Sequence, residues 1–306
     1  MPPTFDIGRE RTSNARSIYR VLEITTVAGC AVACTYCPER TFATIQRSVS
    51  SQTVMPLEVF EKCLATVPAD VDISFSGYAE PWLNPSCTAM VKHAHTKGHG
   101  LRIFTTLAGM TPEQLEEVVS TSPKLLVIHL FDDGEHMNGR FVNDRYLTVL
   151  RRLARIDAPW LRFLAFGTVH RDVQSIVPPD RIQTTHPLIS RAGSVNHQIV
   201  PTPPALSGPI FCTEARQFRN VLLPNGDVTL CCMDYQRKHV LGNLTEVSYD
   251  ELHQSPAFRT LLRRMLGEGG ELICRSCERA APLQPRISAQ RSSAGLDLGH
   301  ESHSGA

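Results

Sequence analysis

The chain has no apolar run approaching the roughly 18 residues that a membrane-spanning helix requires. Its first residues, MPPTFDIGRERTSNARS, also lack the apolar core of a secretory signal. Both absences lead to the expectation of a cytoplasmic protein with no membrane partner. Charge of one sign is missing too: 31 Lys and Arg stand against 30 Asp and Glu, a net of +1. Nucleic-acid-binding domains carry a basic surplus, so no nucleic-acid partner is expected. What is present is ordinary for a globular protein, 42% hydrophobic and 20% charged. The length of 306 residues suffices for one large α/β domain with a small appendage.

Cysteine is abundant. The ten thiols occupy positions 30, 34, 37, 63, 87, 212, 231, 232, 274 and 277. A reducing compartment rarely uses cysteines as structural disulfides. Three close together and five in the last third therefore read as metal sites, and cysteine-only ligation favours zinc or iron–sulfur. Cys63 and Cys87 fall on apolar helix faces and read as core.

Short β-branched or apolar runs at 19–25, 72–76, 101–105, 125–130, 161–168 and 188–191 read as strands, with helical patterns between several of them. Pro56 opens one helix. Asn84-Pro85 reads as the cap and first turn of a second, with Cys87, Met90, Val91 and Ala94 on one face and Gly98 stopping it. Thr111 and Gln114 form a capping-box pattern. Such alternation implies a parallel sheet with crossover helices, about six βα units in a partial barrel, and places chemistry at the C-terminal strand ends. Residues 201–211, PTPPALSGPIF, read as a linker. Beyond it, 218–223 and 227–232 flank Pro224-Asn225-Gly226 as a β-hairpin. Ser248 with Glu251, and Ser255-Pro256, start helices. From about residue 282 the tail holds too little apolar content to fold.

Cys30-Ala-Val-Ala-Cys34-Thr-Tyr36-Cys37 places three thiolates in one loop after the first strand. Each can bind one iron of a cubane, leaving the fourth iron open to a substrate or cofactor. Structural zinc sites want four protein ligands; a zinc loop completed by a distant ligand is the bland alternative. The CxxxCxxC loop in this position resembles the radical S-adenosylmethionine (SAM) superfamily. That resemblance implies a [4Fe–4S] cluster on Cys30, Cys34 and Cys37, with SAM chelating the open iron and Tyr36 against its adenine. Gly77-Tyr78-Ala79-Glu80-Pro81 resembles the family's Gly-Gly-Glu-Pro element, which would set Gly77 and Glu80 at the SAM ammonium. Ser190-Arg191-Ala192-Gly193 resembles a Ser/Thr-Arg-Ala-Gly segment of related enzymes; Arg191 would pair with the SAM carboxylate, a task suited to a guanidinium fork.

Cys212, Cys231 and the Cys274-Arg-Ser-Cys277 pair resemble the SPASM/twitch extensions of such enzymes. No cysteine follows Cys277, so the shorter twitch form with one auxiliary [4Fe–4S] cluster fits. A structural zinc ion on the same four thiolates is the alternative. Neighbouring strand residues point to opposite faces, so Cys231 and Cys232 should differ in role, and either one can be the cluster ligand. The other is then an inert buried thiol or a catalytic hydrogen donor facing substrate.

His129 and Asp132 end the fourth strand and are candidate substrate contacts, as is Asp234 beyond the cysteine pair. His93, His95 and His99 read as decoration of an exposed helix end. The resemblance implies an α/β fold, a partial (β/α)6 radical SAM barrel over 18–200. A short extension (1–17) precedes it, and a twitch-like β-hairpin/helix iron–sulfur domain (201–281) and a disordered tail (282–306) follow. It implies SAM and two [4Fe–4S] clusters as cofactors and an electron donor such as flavodoxin or ferredoxin. The short chain is similar to 2-deoxy-scyllo-inosamine dehydrogenase and neomycin C epimerase. That implies hydrogen abstraction from a carbinol carbon of an amino sugar, aminocyclitol or aminoglycoside intermediate, with the surplus Cys232 tilting the outcome toward epimerisation over oxidation. A ribosomal-peptide maturase and a non-catalytic zinc-binding module are the rivals.

Overall fold

A computed structural model describes residues 20–184, 188–195, 200 and 202–283. Strand β1 (Val21–Ile24) is followed by α1 (Glu39–Val49), α2 (Leu57–Leu64), β2 (Asp72–Phe75), α3 (Cys87–Thr96) and β3 (Leu101–Thr105). Then come α4 (Pro112–Ser120), β4 (Leu125–Leu130), α5 (Asp144–Ala154), β5 (Leu161–Ala165), the single turn α6 (Arg171–Gln174) and β6 (Ile182–Thr184). The C-terminal part holds β7 (Ile210–Cys212), β8 (Arg219–Leu222), β9 (Asp227–Thr229), β10 (Val240–Asn243), α7 (Tyr249–Gln254), α8 (Pro256–Met265) and β11 (Ala280–Pro282).

Among the described residues one sheet runs β10-β9-β8-β1-β2-β3-β4-β5-β6, and β7 pairs with β11 separately. From β8 through β6 every neighbouring pair is parallel, as strand–helix alternation demands. The strands are two-faced. Leu22, Ile24, Phe75, Ile103 and Ile128 pack toward the helices in the main core. The alternate positions Glu23, Ser74, Phe104, His129 and Leu164 face a cavity on the inner side. The helix faces follow the sequence pattern: Cys87, Met90, Val91 and Ala94 of α3 are buried together. The capping boxes at Thr111/Gln114 and Ser248/Glu251 both form. No described helix is long and apolar enough to cross a membrane.

Four sequence expectations are corrected. The sixth strand is Ile182–Thr184, not 188–191. Arg191, Ala192 and Gly193 all have positive φ, +53°, +52° and +78°, which no strand allows; the apolar Ile189 that suggested one packs instead against the C-terminal cysteine cluster. Strand β5 stops at Ala165 rather than 168. The start of α3 shifts by two residues, to an N-cap at Ser86, and Asn84 caps the turn before it, its Oδ1 accepting the Ser86 amide at 2.9 Å. The Asn84 side-chain amide joins two loops, donating to the Thr26 carbonyl (3.0 Å) and the Met55 carbonyl (2.8 Å). His99 is buried rather than exposed, its Nδ1 2.9 Å from the Val71 carbonyl.

The hairpin at Pro224-Asn225-Gly226 forms as β8–β9, with Gly226 at φ +89° in the turn. It is not a free appendage, because β8 lies parallel beside β1 with Val21 opposite Arg219 and Glu23 opposite Val221. The C-terminal segment therefore shares a wall with the cavity. Apart from Pro282 and Leu283, the tail expected from residue 282 lies outside the described residues, as does the N-terminal extension.

Candidate active site

The cavity holds about 350 Å³ and opens at the C-terminal end of the parallel strands. Cys30, Cys34 and Cys37 all line it. Their loop leaves β1 and folds through consecutive tight turns: the Ala33 amide donates to the Cys30 carbonyl (3.3 Å), and the Cys37 amide to that of Cys34 (3.0 Å). Glu39 accepts the Cys30 amide at 3.0 Å.

A second loop, after β4, clasps the first. Thr35 donates its amide to the His136 carbonyl (2.9 Å), and Asn138 donates its amide to the Val32 carbonyl (3.0 Å) and its side chain to the Ala31 carbonyl (3.2 Å). That clasp is built on Asp132, whose carboxylate accepts the amides of Gly134, His136 and Met137 at 3.2, 2.7 and 3.2 Å. Asp132 is 1% exposed and does not line the cavity. It holds the loop that holds the cysteines.

Glu80 lines the cavity and accepts four hydrogen bonds. Trp82 N and Thr105 Oγ1 donate to Oε1 (3.2 and 2.6 Å); Thr106 N and Oγ1 donate to Oε2 (2.6 and 2.8 Å). A carboxylate offers about four lone-pair sites, so these are filled and Glu80 presents chiefly its charge. Burial pushes its pKa up, and the same four donors oppose that shift. Gly77 has φ +51°, and a Cβ there would overlap the Thr25 hydroxyl and the Ile24 carbonyl. Tyr78, where the related element has a second glycine, is buried between the rings of Phe42 (4.6 Å) and Tyr235 (4.4 Å). Its hydroxyl donates to the Cys231 carbonyl at 2.9 Å and lies 3.0 Å from the Thr229 hydroxyl. Tyr78 thereby ties this loop to the C-terminal cysteines.

Tyr36, Phe166 and His129 make one aromatic wall, with centroids 4.8 Å apart for the first pair and 5.8 Å for the second. Burial, together with the charge of Arg191, lowers the His129 pKa to about 4, so the ring is neutral at pH 7. Arg191 reaches the cavity from its left-handed turn. Ser190 does not line the cavity; its hydroxyl accepts the Gly193 amide (2.9 Å) and shapes that turn.

Cys231 and Cys232 part company. Cys231 belongs to a buried cluster with Cys277, against which Cys212 and Cys274 pack. Cys232 groups with Tyr78, Val221, Tyr235 and Cys37, and lines the cavity. Both residues follow the end of β9, so the divergence belongs to a turn and not to strand alternation. Asp234 builds that turn by accepting the amides of Lys238 (2.9 Å) and His239 (2.8 Å), and lies off the cavity.

All ten cysteines are free thiols. Burial and then the charge of Glu80 and Cys37 on Cys30, and of Cys37 on Cys34, raise these two pKa values, Cys30 to about 11. Burial and the charges of Cys277 and Cys212 likewise raise Cys274 to about 12. Thiols so placed become thiolates only when a cation compensates them. Cys212 Sγ accepts the Arg216 amide (3.3 Å) and Cys277 Sγ the Arg279 amide (3.4 Å), the kind of N–H donors that tune cluster sulfurs. Among the described residues no three His, Cys, Asp or Glu side chains converge to hold a single metal ion. A cubane takes each thiolate on a different iron, so its ligands stand around it rather than around one point. In donor chemistry, cysteine sulfur alone, both thiol sets suit that larger group.

Residues 212–278 match the SPASM iron–sulfur cluster-binding domain. The SPASM segment contains Cys212, Cys231, Cys232, Cys274 and Cys277, so the separation of Cys232 from the other four is internal to it. In fold the chain is similar to BtrN in complex with AdoMet and 2-DOIA: 19% identity, 86% of this chain and 93% of that one covered, TM-score 0.58. It is also similar to anSMEcpe with bound AdoMet, at 14% identity, 84% and 86% coverage and TM-score 0.52. A third similar structure is Streptococcus suis SuiB bound to precursor peptide SuiA, at 13% identity, 84% and 69% coverage and TM-score 0.55. Among curated proteins none matches the chain in sequence.

The sequence reading did not single out Glu23, Arg216, Arg219 and Tyr235, all of which line the cavity. Glu23 was legible as a charged residue set among the apolar Val21, Leu22 and Ile24. Arg216 donates to Cys232 Sγ at 2.9 Å and pairs with Glu214. Tyr235 places its hydroxyl 3.7 Å from Cys37 Sγ. These last two contacts bridge distant segments, and no local pattern announces them.

Proposed function

We propose that the chain is a radical SAM enzyme acting on a small polar substrate, with hydrogen abstraction at a carbinol carbon of a sugar-like molecule. The observation that carries this reading is the split between adjacent cysteines: Cys232 shares a cavity with Cys30, Cys34 and Cys37, while Cys231 turns to Cys212, Cys274 and Cys277. In this reading the first three thiolates hold a [4Fe–4S] cluster and the latter four hold an auxiliary one. When bound, the first cluster and SAM supply a 5′-deoxyadenosyl radical, which takes a hydrogen atom from substrate carbon. Tyr36 and Phe166 provide a ring surface for the adenine, Arg191 a fork for the methionine carboxylate, and Glu80 negative charge near its ammonium. Neutral His129 accepts or donates one hydrogen bond to substrate.

Cys232 decides the outcome. Its S–H returns a hydrogen atom to the substrate radical, giving an epimer of an amino sugar or aminocyclitol and leaving a sulfur-centred radical. One electron from a flavodoxin- or ferredoxin-type donor and one proton restore the thiol. Without that transfer, the substrate radical would give the ketone by yielding one electron to the auxiliary cluster that Cys212, Cys231, Cys274 and Cys277 would hold and one proton to water.

The test is anaerobic reconstitution followed by SAM and dithionite. The expected result is about eight irons per chain and 5′-deoxyadenosine; bound zinc with no deoxyadenosine overturns the reading. In deuterium oxide an epimeric product should carry one solvent deuterium, and Cys232→Ala should stop its formation while deoxyadenosine still appears. Normal epimer yield from that variant removes Cys232 from the mechanism. Modification of a peptide instead of a sugar would favour the maturase reading.

A further inference from the structure

The inner face of the sheet carries guanidinium groups that the preceding chemistry does not use. Arg219 opens β8 beside Val21 and lines the cavity. Arg102 of β3 lies opposite Ser74, which lies opposite Glu23, so it shares that inner face. In both residues Nε is buried and has no hydrogen-bond partner among the described residues. Arg191 is given to the methionine carboxylate in the reading above, and the remaining charges that line the cavity have partners. Glu39 accepts the Cys30 amide, Glu80 is filled by four donors, and Glu23 accepts the Ser76 hydroxyl at 3.2 Å. Arg216 pairs with Glu214 and Cys232.

Both residues are half-buried, but an N–H shut away from water without a partner is costly, and in a cavity wall a ligand can supply that partner. Arg219 begins β8, which runs parallel to β1, whereas Cys30, Cys34 and Cys37 follow the far end of β1. Arg219 is therefore rooted at the end of the cavity away from the cysteine loop, and its charge is felt as far as Cys232. A guanidinium fork matches a carboxylate or a phosphate with paired, charge-assisted hydrogen bonds.

We infer that this end of the cavity is a subsite for an anionic group on the substrate, a carboxylate or a phosphate monoester, held by Arg219 with Arg102 adding to the positive field. The substrate is then a sugar acid or a sugar phosphate rather than a purely cationic amino sugar. This rests on the cavity being the substrate site and not on any radical step, so it is measured by binding alone.

Holoenzyme with both clusters, SAM present and no reductant, is titrated calorimetrically with glucosamine 6-phosphate, glucuronate, glucosamine and glucose. One of the two anionic probes should bind at least about tenfold more tightly than the uncharged and cationic ones. Which of them does so separates phosphate from carboxylate. Arg219→Gln should erase that preference, and Arg219→Lys, which keeps the charge and loses the fork, should retain only part of it; iron content reports whether each variant is folded. Equal binding of all four probes, no binding of either anion, or an undiminished preference in both variants overturns the subsite. Deoxyadenosine formation, followed separately, reports on the radical SAM reading, so the two can fail independently.

Discussion

The two cysteine sets are opposites in construction. The N-terminal three sit in one eight-residue loop whose shape depends on a neighbouring loop and, behind it, on Asp132. The C-terminal four come from three separate segments, brought together by the β7–β11 pair, the end of β9 and the single turn Ile273–Ser276. The first set is contiguous and incomplete, and faces a cavity. The second is dispersed and complete, and packs into its own small core of Ile210, Leu230, Met233, Leu261 and Leu272. Under the proposed function, the set that would admit a ligand is preformed locally and propped from behind, whereas the set that would exclude ligands is sewn into the fold. The C-terminal cluster should therefore matter more for stability and the N-terminal one for turnover.

The largest expected effect breaks that contrast directly. Cys34→Ala should abolish deoxyadenosine formation and halve the iron to about four per chain, with little change in thermal midpoint. Cys274→Ala should lose the same amount of iron but lower the midpoint markedly, while SAM cleavage persists. If Cys274→Ala leaves stability intact, the second set is not structural in the sense argued here. Asp132→Ala should come next. It orphans three backbone amides, two of them on residues with buried or half-buried surroundings, and should cost about 1–3 kcal/mol, with faster loss of the N-terminal cluster to chelator. Equal chelator resistance in the variant and the native chain would show that the clasp does not support the cysteine loop.

The smallest effect concerns pH. His129 has a folded pKa of about 4 against an unfolded value of 6.5. Above 6.5 both states are neutral and the group contributes nothing. Between 6.5 and about 4 the unfolded chain binds a proton that the folded chain refuses, so stability falls as pH falls through that window. His129→Phe keeps the ring wall and should flatten the slope there. Denaturant midpoints at pH 7 and pH 5 measure it, and an unchanged slope would assign the window to other groups.

Much of the frame was readable in advance, because period and punctuation are local. The helix faces of α3 and α4, the capping boxes, β3, β4 and the hairpin all follow from spacings within a dozen residues. The cysteine loop was legible for the same reason. What failed was decided at a distance. Leu188 and Ile189 look like strand because they are apolar, yet Ile189 packs against a cysteine cluster drawn from later in the chain. Asp132, Asp234 and Ser190 differ: they bond backbone amides of their own turns, Asp234 in the turn-capping role its position also allows, and nothing in the flanking residues distinguishes that role from a ligand contact. The arginines at 216 and 219 were illegible, because only the parallel pairing of β8 with β1 makes a C-terminal hairpin into a wall of the cavity.

The adjacency of Cys231 and Cys232 carries one more consequence. Consecutive α-carbons lie about 3.8 Å apart, so the shortest covalent route between the cavity and the second thiol set crosses a single peptide unit. If both thiol sets hold clusters as proposed, an electron passing either way would have a fixed path whose length the fold cannot vary. The same economy makes the point brittle in evolution. Other loops of the chain can lengthen by a residue at modest cost, but one residue added between these two would disturb the turn that sends them to different sites.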